Sequence, residues 1–275
     1  MKKFLVPTDF SDTSKNAARF AVQAVANDKD ATIILYNLHD VVAAGSDGSL
    51  LTETENDRKI VLTDALENLK AELLTLAKVN IEIVAEGGSS LVDNLERYVR
   101  HHGIDLVIMG ITGATRLEQI FMGSNTLHLV DRNIGPVMIV PPDATYHPIK
   151  NIALASDLKD VETTTPVAPI QGVLKLFNAS LHIVNVDSEH YVDITDEYKS
   201  EKTKMQKMFS GYNPEFYFIR QYDFQDAIHQ FSIDRAIDVI IIVPKKNSFL
   251  SGLFKTSHTK KLAYHSHIPI VAIHE

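Results

Sequence analysis

The sequence predicts an α/β protein built from two tandem units, each a parallel sheet with helices on both faces. Two observations predict it. Short continuous apolar runs alternate with longer amphipathic segments, as in sheets whose strands are buried on both sides. The same order of runs then restarts half-way along the chain, and the final thirds of the two copies align without a gap at a fixed offset of 133 residues.

In the first copy, Phe4–Pro7 reads as a buried strand, Thr13–Val25 as a helix and Ala31–Leu38 as a second strand. Glu55–Lys78 follows, with Ile60, Leu62, Leu66, Leu69, Leu73 and Leu76 at helical spacing. Val79–Ala85 is a strand, Leu91–His101 a helix, Asp105–Gly110 a strand, Asn125–Arg132 a helix and Pro136–Val140 the last strand. In the second copy Asn151–Asp157 echoes Lys3–Asp9, Ala179–Val186 echoes Ala31–Leu38, and Tyr217–Arg220 stands where Ile81–Val84 stood. At the offset of 133, Asp105 falls on Asp238, Ser124 on Ser257, Thr126 on Thr259 and Pro136 on Pro269. A repeat this long marks a duplicated domain and not a solenoid. The expected domains are 1–143 and 147–275, joined by a short, stiff linker near Pro141–Tyr146.

Composition narrows the function. The chain has 275 residues, 45% hydrophobic and 23% charged, which is ordinary globular composition. It has no Cys, which excludes disulfides, thiolate metal sites and Cys nucleophiles. The net charge of −8 works against a nucleic-acid partner. No apolar stretch approaches the roughly 20 residues of a spanning helix, and MKKFLVPTDF is no signal peptide, so no membrane role and a cytoplasmic location are expected.

Candidate chemistry lies in the first copy. After the strand ending at Gly110 the sequence runs GITGATRLEQIFMGSNT. Gly110 and Gly113 permit a sharp turn and a close backbone approach. Gly123-Ser124-Asn125 opens the next helix, whose free N–H groups suit a phosphate, with hydroxyls from Ser124 and Thr126. The spacing is neither a Walker A loop nor a dinucleotide fingerprint, and plain turn chemistry is the competing account. Asp9, closing the first strand in Pro7-Thr8-Asp9, is suited to ribose hydroxyls or Mg²⁺. Its competing role is an N-cap or turn residue, for which Asp12 and Thr13 also contend.

VPTDFSDTS at Val6–Ser14, the strand DLVIMG and the spacing Gly110-x2-Gly113-x9-Gly123-Ser124 together resemble the universal stress protein family, in its nucleotide-binding branch. The resemblance covers essentially the whole chain as a tandem pair. It implies two Rossmann-like domains of the adenine nucleotide alpha hydrolase-like kind, each a five-stranded parallel sheet flanked by helices. It also implies one site for ATP, or AMP or ADP, with Mg²⁺. Adenine would lie near Pro7, Thr8 and the backbone at Asn37, Leu38 and His39. Asp9 would face ribose and metal, and Gly110, Thr112, Gly113, Gly123, Ser124 and Asn125 would hold the phosphates.

The second copy lacks the signature: Val243, Lys246 and Thr256 stand for the three glycines, and Pro244 removes a donor. Its expected role is structural, the final strands Val137–Val140 and Ile270–Ile273 pairing across a pseudo-two-fold axis. A homodimer stays open. Five lysines between Lys245 and Lys261 read as a solvated basic loop or an anion-attracting one. Three functions compete: a nucleotide-binding stress-response regulator, a slow Mg-dependent ATPase with Arg116 near the phosphates, and a ligand-free scaffold. His101-His102 and His265-x-His267 have no partners in the sequence that would make a metal site.

Overall fold

Strands without a polar face have to be covered on both sides, and this chain meets that demand with one sheet between two helical layers. The computed structural model describes residues 2–40, 55–111, 124–187, 195–221, 223–244 and 268–274. The first half runs β1 (Lys2–Pro7), α1 (Asp12–Ala24), β2 (Ala31–His39), α2 (Glu55–Leu74), β3 (Asn80–Gly87), α3 (Leu91–His102), β4 (Leu106–Gly110), α4 (Ser124–Asp131) and β5 (Val137–Val140). The second runs β6 (Asn151–Ala155), α5 (Val161–Thr164), α6 (Val167–Phe177), β7 (Ser180–Asp187), α7 (Asp196–Met208), β8 (Glu215–Arg220), α8 (Phe224–Asp234), β9 (Val239–Ile242) and β10 (Ile270–Ala272).

The strand order is β3-β2-β1-β4-β5-β10-β9-β6-β7-β8. Within each half every neighbouring pair is parallel. At the centre β5 and β10 run antiparallel, with Ile139 opposite Ile270 and Met138 opposite Val271. One core lies on the face of α1, α2, α6 and α7 and includes Phe4, Leu35, Leu66, Leu154 and Phe209. The other lies under α3, α4 and α8 and includes Leu5, Ile34, Leu95, Leu129 and Ile240. Both cores cross the β5–β10 contact, which sends Met138 and Val271 to one and Ile139 and Ile270 to the other.

Two local expectations are corrected. Helix α1 is capped by Ser11, whose hydroxyl accepts from the Ser14 N–H at 3.3 Å, and not by Asp12 or Thr13. Helix α2 ends at Leu74, short of Lys78, because its last turn tightens: Thr75 donates to the Glu72 carbonyl through both its N–H and its hydroxyl. Leu66, Leu69 and Leu73 are buried as the spacing predicts, but Ile60 and Leu76, near the two ends, are about half exposed at 53% and 47%.

The repeat extends to individual hydrogen bonds. Asp105 accepts from the Lys3 N–H at 2.8 Å, and its counterpart Asp238 accepts from the Asn151 N–H at 2.9 Å. Asn37 donates to the Thr8 carbonyl at 2.8 Å, and Asn185 to the Ser156 carbonyl at 2.9 Å. The segment after β5 is held on α1, where Asn16 donates to the carbonyls of Pro141 and Ala144 and Phe20 meets Tyr146 edge-on. No helix among the described residues is long and apolar enough to cross a membrane.

Val271 is fully buried at the β5–β10 contact. Val271→Asp places a charge there without a partner and lowers stability in urea denaturation by about 3 kcal/mol or more. A loss below about 1 kcal/mol would show that the contact contributes little.

Candidate functional site

In the order β3-β2-β1-β4-β5 the chain turns one way after β1 and the other way after β4, so their C-terminal ends diverge and leave a crevice. A cavity of about 750 Å³ opens there. Its floor is the ends of β1 (Pro7, Thr8, Asp9), β2 (Asn37, Leu38) and β4 (Met109, Gly110). Its walls are the starts of three helices: Ser11, Thr13 and Ser14 of α1, Ser90 and Val92 at α3, and Asn125 and Thr126 of α4. Asp40, Ser89, Leu91, His128 and Arg132 complete the described lining.

Seven of the expected site residues therefore meet: Pro7, Thr8, Asp9, Asn37, Leu38, Gly110 and Asn125. His39 is not among the lining residues. Its ring is buried, and neither ring nitrogen has a hydrogen-bond partner among the described residues. Thr112, Gly113 and Gly123 lie outside the described residues, as do Arg116, the segment 245–267 and the side chain of Ser124. Ser124 is the first residue of α4.

The side chains at the floor are mostly committed to holding the loop. Thr8 accepts from the Phe10 N–H at 3.0 Å and lies 3.0 Å from the Ser14 hydroxyl. The Asn37 amide nitrogen is spent on the Thr8 carbonyl, and its oxygen is buried without a partner among the described residues. Asp9 is exposed, and one carboxylate oxygen accepts from the Ser11 N–H at 3.0 Å and the Ser11 hydroxyl at 2.6 Å. Partial burial would raise its pKa, but the hydrogen bonds from Ser11 and Ser14 outweigh burial and hold it below the usual value, so Asp9 is ionised at neutral pH. Among the described residues no three His, Asp or Glu side chains gather around a metal position. The donor set at Asp9 fits a Mg²⁺ that brings most of its oxygens with a phosphate ligand.

Gly110 has a reason that its spacing does not reveal. A Cβ there would lie 2.3 Å from the Thr13 carbonyl oxygen, so the first turn of α1 rests directly on the end of β4. The close approach is made by the protein's own backbone. In the second half the loop after β6 repeats the loop after β1: Leu158, like Phe10, has positive φ and donates to the hydroxyl two residues earlier. Val243 stands where Gly110 stood, however, and is buried. The helix begins differently there, with Asp160 left-handed, α5 only four residues long and α6 restarting after Pro166. Buried Met205 of α7 and Val243 line a small cavity of about 10 Å³ with Ser156, Asp157 and Thr165.

Residues 1–141 match the universal stress protein family. The chain belongs to that family. Universal stress protein MJ0577 of Methanocaldococcus jannaschii is 30% identical over 156 residues, 50% of this chain and 94% of that protein. Universal stress protein MJ0531 of the same organism is 29% identical over 143 residues, 50% of this chain and 81% of that protein. A crystal structure of a universal stress protein from Archaeoglobus fulgidus covers 99% of this chain and 98% of its own, with a TM-score of 0.68 at 14% identity, a likeness of fold.

For this universal stress protein, sequence reasoning passed over the serines of α1 and α3 and the α4 residues His128 and Arg132. The signal was present. Asn125, His128 and Arg132 fall three and then four residues apart, on one helical face.

Two outcomes follow from this geometry. Gly110→Ala lowers stability in urea by about 2 kcal/mol, because α1 has to move; an unchanged midpoint would show that its first turn is not fixed. Ser11→Ala raises the Asp9 pKa, read by NMR titration of the carboxyl carbon. The stabilisation from a depressed carboxyl is present above its ordinary value of 3.8 and is lost as pH falls through the folded value. This part of the gap between wild type and variant is therefore full at neutral pH and narrows in acid. A gap that widened in acid would contradict the assignment.

Proposed function

We propose that the N-terminal cleft binds an adenine nucleotide, ATP in the first instance with AMP or ADP as lesser forms, together with Mg²⁺. On this reading the protein is a nucleotide-binding stress-response regulator, acting in the cytoplasm. The observation that carries it is the gathering of residues distant in sequence. A cavity of about 750 Å³ is lined together by Pro7, Asp9, Asn37, Leu38, Gly110 and Asn125, at the strand end where the glycine signature begins.

The roles follow the chemistry of the lining. Leu38 and Pro7 offer apolar surface and backbone to the base, and the Asp9 carboxylate takes ribose hydroxyls and the cation. Asn125 and the N-terminus of α4 take phosphate, joined by Gly110, Thr112, Gly113, Gly123 and Ser124. Bound Mg²⁺ supplies charge neutralisation for the phosphate chain. The segments 1–143 and 147–275 are two domains on this reading, with the β5–β10 contact as their joint. The second serves as a structural or interaction partner.

Freshly purified protein, denatured and examined by chromatography and mass, releases an adenine nucleotide in one-to-one proportion to the chain. If none is released and calorimetric titration with Mg-ATP is also silent, the reading fails. Gly113→Val abolishes binding while leaving the unfolding transition in place; unchanged affinity would remove the glycine loop from the site.

A further inference from the structure

The charges of the cleft are sorted by wall. Asp9 and Asp40 stand at the ends of β1 and β2, while Arg132 stands on the α4 side. Arg132 is the one Lys or Arg among the described residues lining the cleft. It lies just past the end of α4, its N–H still bonded to the His128 carbonyl, on the same face as Asn125. Arg132 and Asn125 both line the cavity, so a guanidinium that leaves its α3 partners has the phosphate end of the cleft beside it.

Its present partners belong to α3. One guanidinium nitrogen lies 3.1 Å from Asp93 and the other 3.5 Å from Glu96, which is also held by Arg100 at 2.8 Å. The side chains of Arg132 and Asp93 are 54% and 59% exposed, and an ion pair so open to water contributes little net stability. A phosphate carries more charge than a carboxylate and matches the planar fork of a guanidinium with two oxygens.

We propose that Arg132 reads the phosphate chain of the bound nucleotide by exchanging Asp93 for a phosphate beyond the first. Asp93 is the competitor that holds the guanidinium ready when no such phosphate is present. The inference rests on the nucleotide reading of the cleft and adds to it a residue that sets preference for polyphosphates over monophosphates. It also makes the α3–α4 bridge responsive to which nucleotide is bound, since each polyphosphate takes a partner from Asp93.

The two ends of the bridge distinguish this role from a structural one. Adenosine, AMP, ADP and ATP, each with Mg²⁺, are titrated by calorimetry into the full chain and into R132Q and D93N. R132Q weakens ATP by about tenfold, the worth of one charge-assisted hydrogen bond, and adenosine far less. D93N, by removing the competitor, tightens ATP and leaves a steeper rise from AMP to ATP. R132K, which keeps the charge without the fork, falls between wild type and R132Q. Both side chains are exposed, and thermal unfolding verifies that the variants are folded.

A bridge that only shapes the cleft would be broken by either variant, so a shift of ATP affinity in the same direction for R132Q and D93N overturns the proposal. Equal weakening of adenosine and ATP in R132Q overturns it as well. Wild-type protein that binds none of the four ligands overturns the nucleotide reading and this inference with it. Wild-type binding with the variants behaving alike leaves that reading standing and removes only the role of Arg132.

Discussion

A sheet covered on both faces has no water to hydrogen-bond its backbone, so each strand needs a neighbour on both sides or an edge fit for solvent. In this chain the demand falls hardest on β5 and β10. Their sequences, VMIV and IVA, are wholly apolar and wholly buried, and neither has a charged residue to protect an open edge. Pairing them antiparallel satisfies both and merges two five-stranded sheets into one of ten. The outer edges pass to β3 and β8, which carry Glu82 and Glu86, and Glu215 and Arg220, and are only partly buried.

The same demand shapes the ends of the strands. At the N-terminal edge Asp105 accepts the Lys3 N–H near the start of β1, and Asp238 the Asn151 N–H that opens β6. At the C-terminal edge Asn37 and Asn185 hold the carbonyls that follow those strands, and the hydroxyls of Thr8 and Ser156 accept the N–H two residues on. Both halves thus present the same loop at the same place. The following helix starts differently in the two. With Gly110 beneath it, α1 starts immediately and stands against β4, and α3 and α4 frame the opposite wall of the cleft. Where Val243 stands in its place, the helix is interrupted after the four residues of α5.

Charge within the cleft is arranged by the same topology. Carboxylates follow β1 and β2 because the chain turns polar as it leaves the sheet there, and the guanidinium of Arg132 stands just past the end of α4, whose one face borders the opening. The α3–α4 bridge links this wall to the packing of the helices on the sheet.

Periodicity and repetition made most of the fold readable in advance. Continuous apolar runs can only be strands buried on both faces, and the offset of 133 placed Asp105 on Asp238, which make the same hydrogen bond. The gathering of Pro7, Asp9, Asn37 and Gly110 was readable too, because parallel strands bring their C-terminal ends to one edge. What lay beyond reach of the chain as written was the direction of individual side chains and the contacts between elements distant in sequence. Ser11 rather than Asp12 or Thr13 caps α1; Asn37 turns its amide to Thr8; His39 lies buried outside the cleft lining; Arg132 returns to Asp93 and Glu96 across about 40 residues of chain. Gly110 is the sharpest case. A local reading assigns it to a turn near a ligand, whereas the atom that excludes a Cβ belongs to Thr13, nearly a hundred residues earlier in the chain. Local order follows from backbone sterics and the pattern of apolar residues, which a sequence displays directly. Close approach between elements follows from packing in three dimensions, which appears only once the sheet has formed.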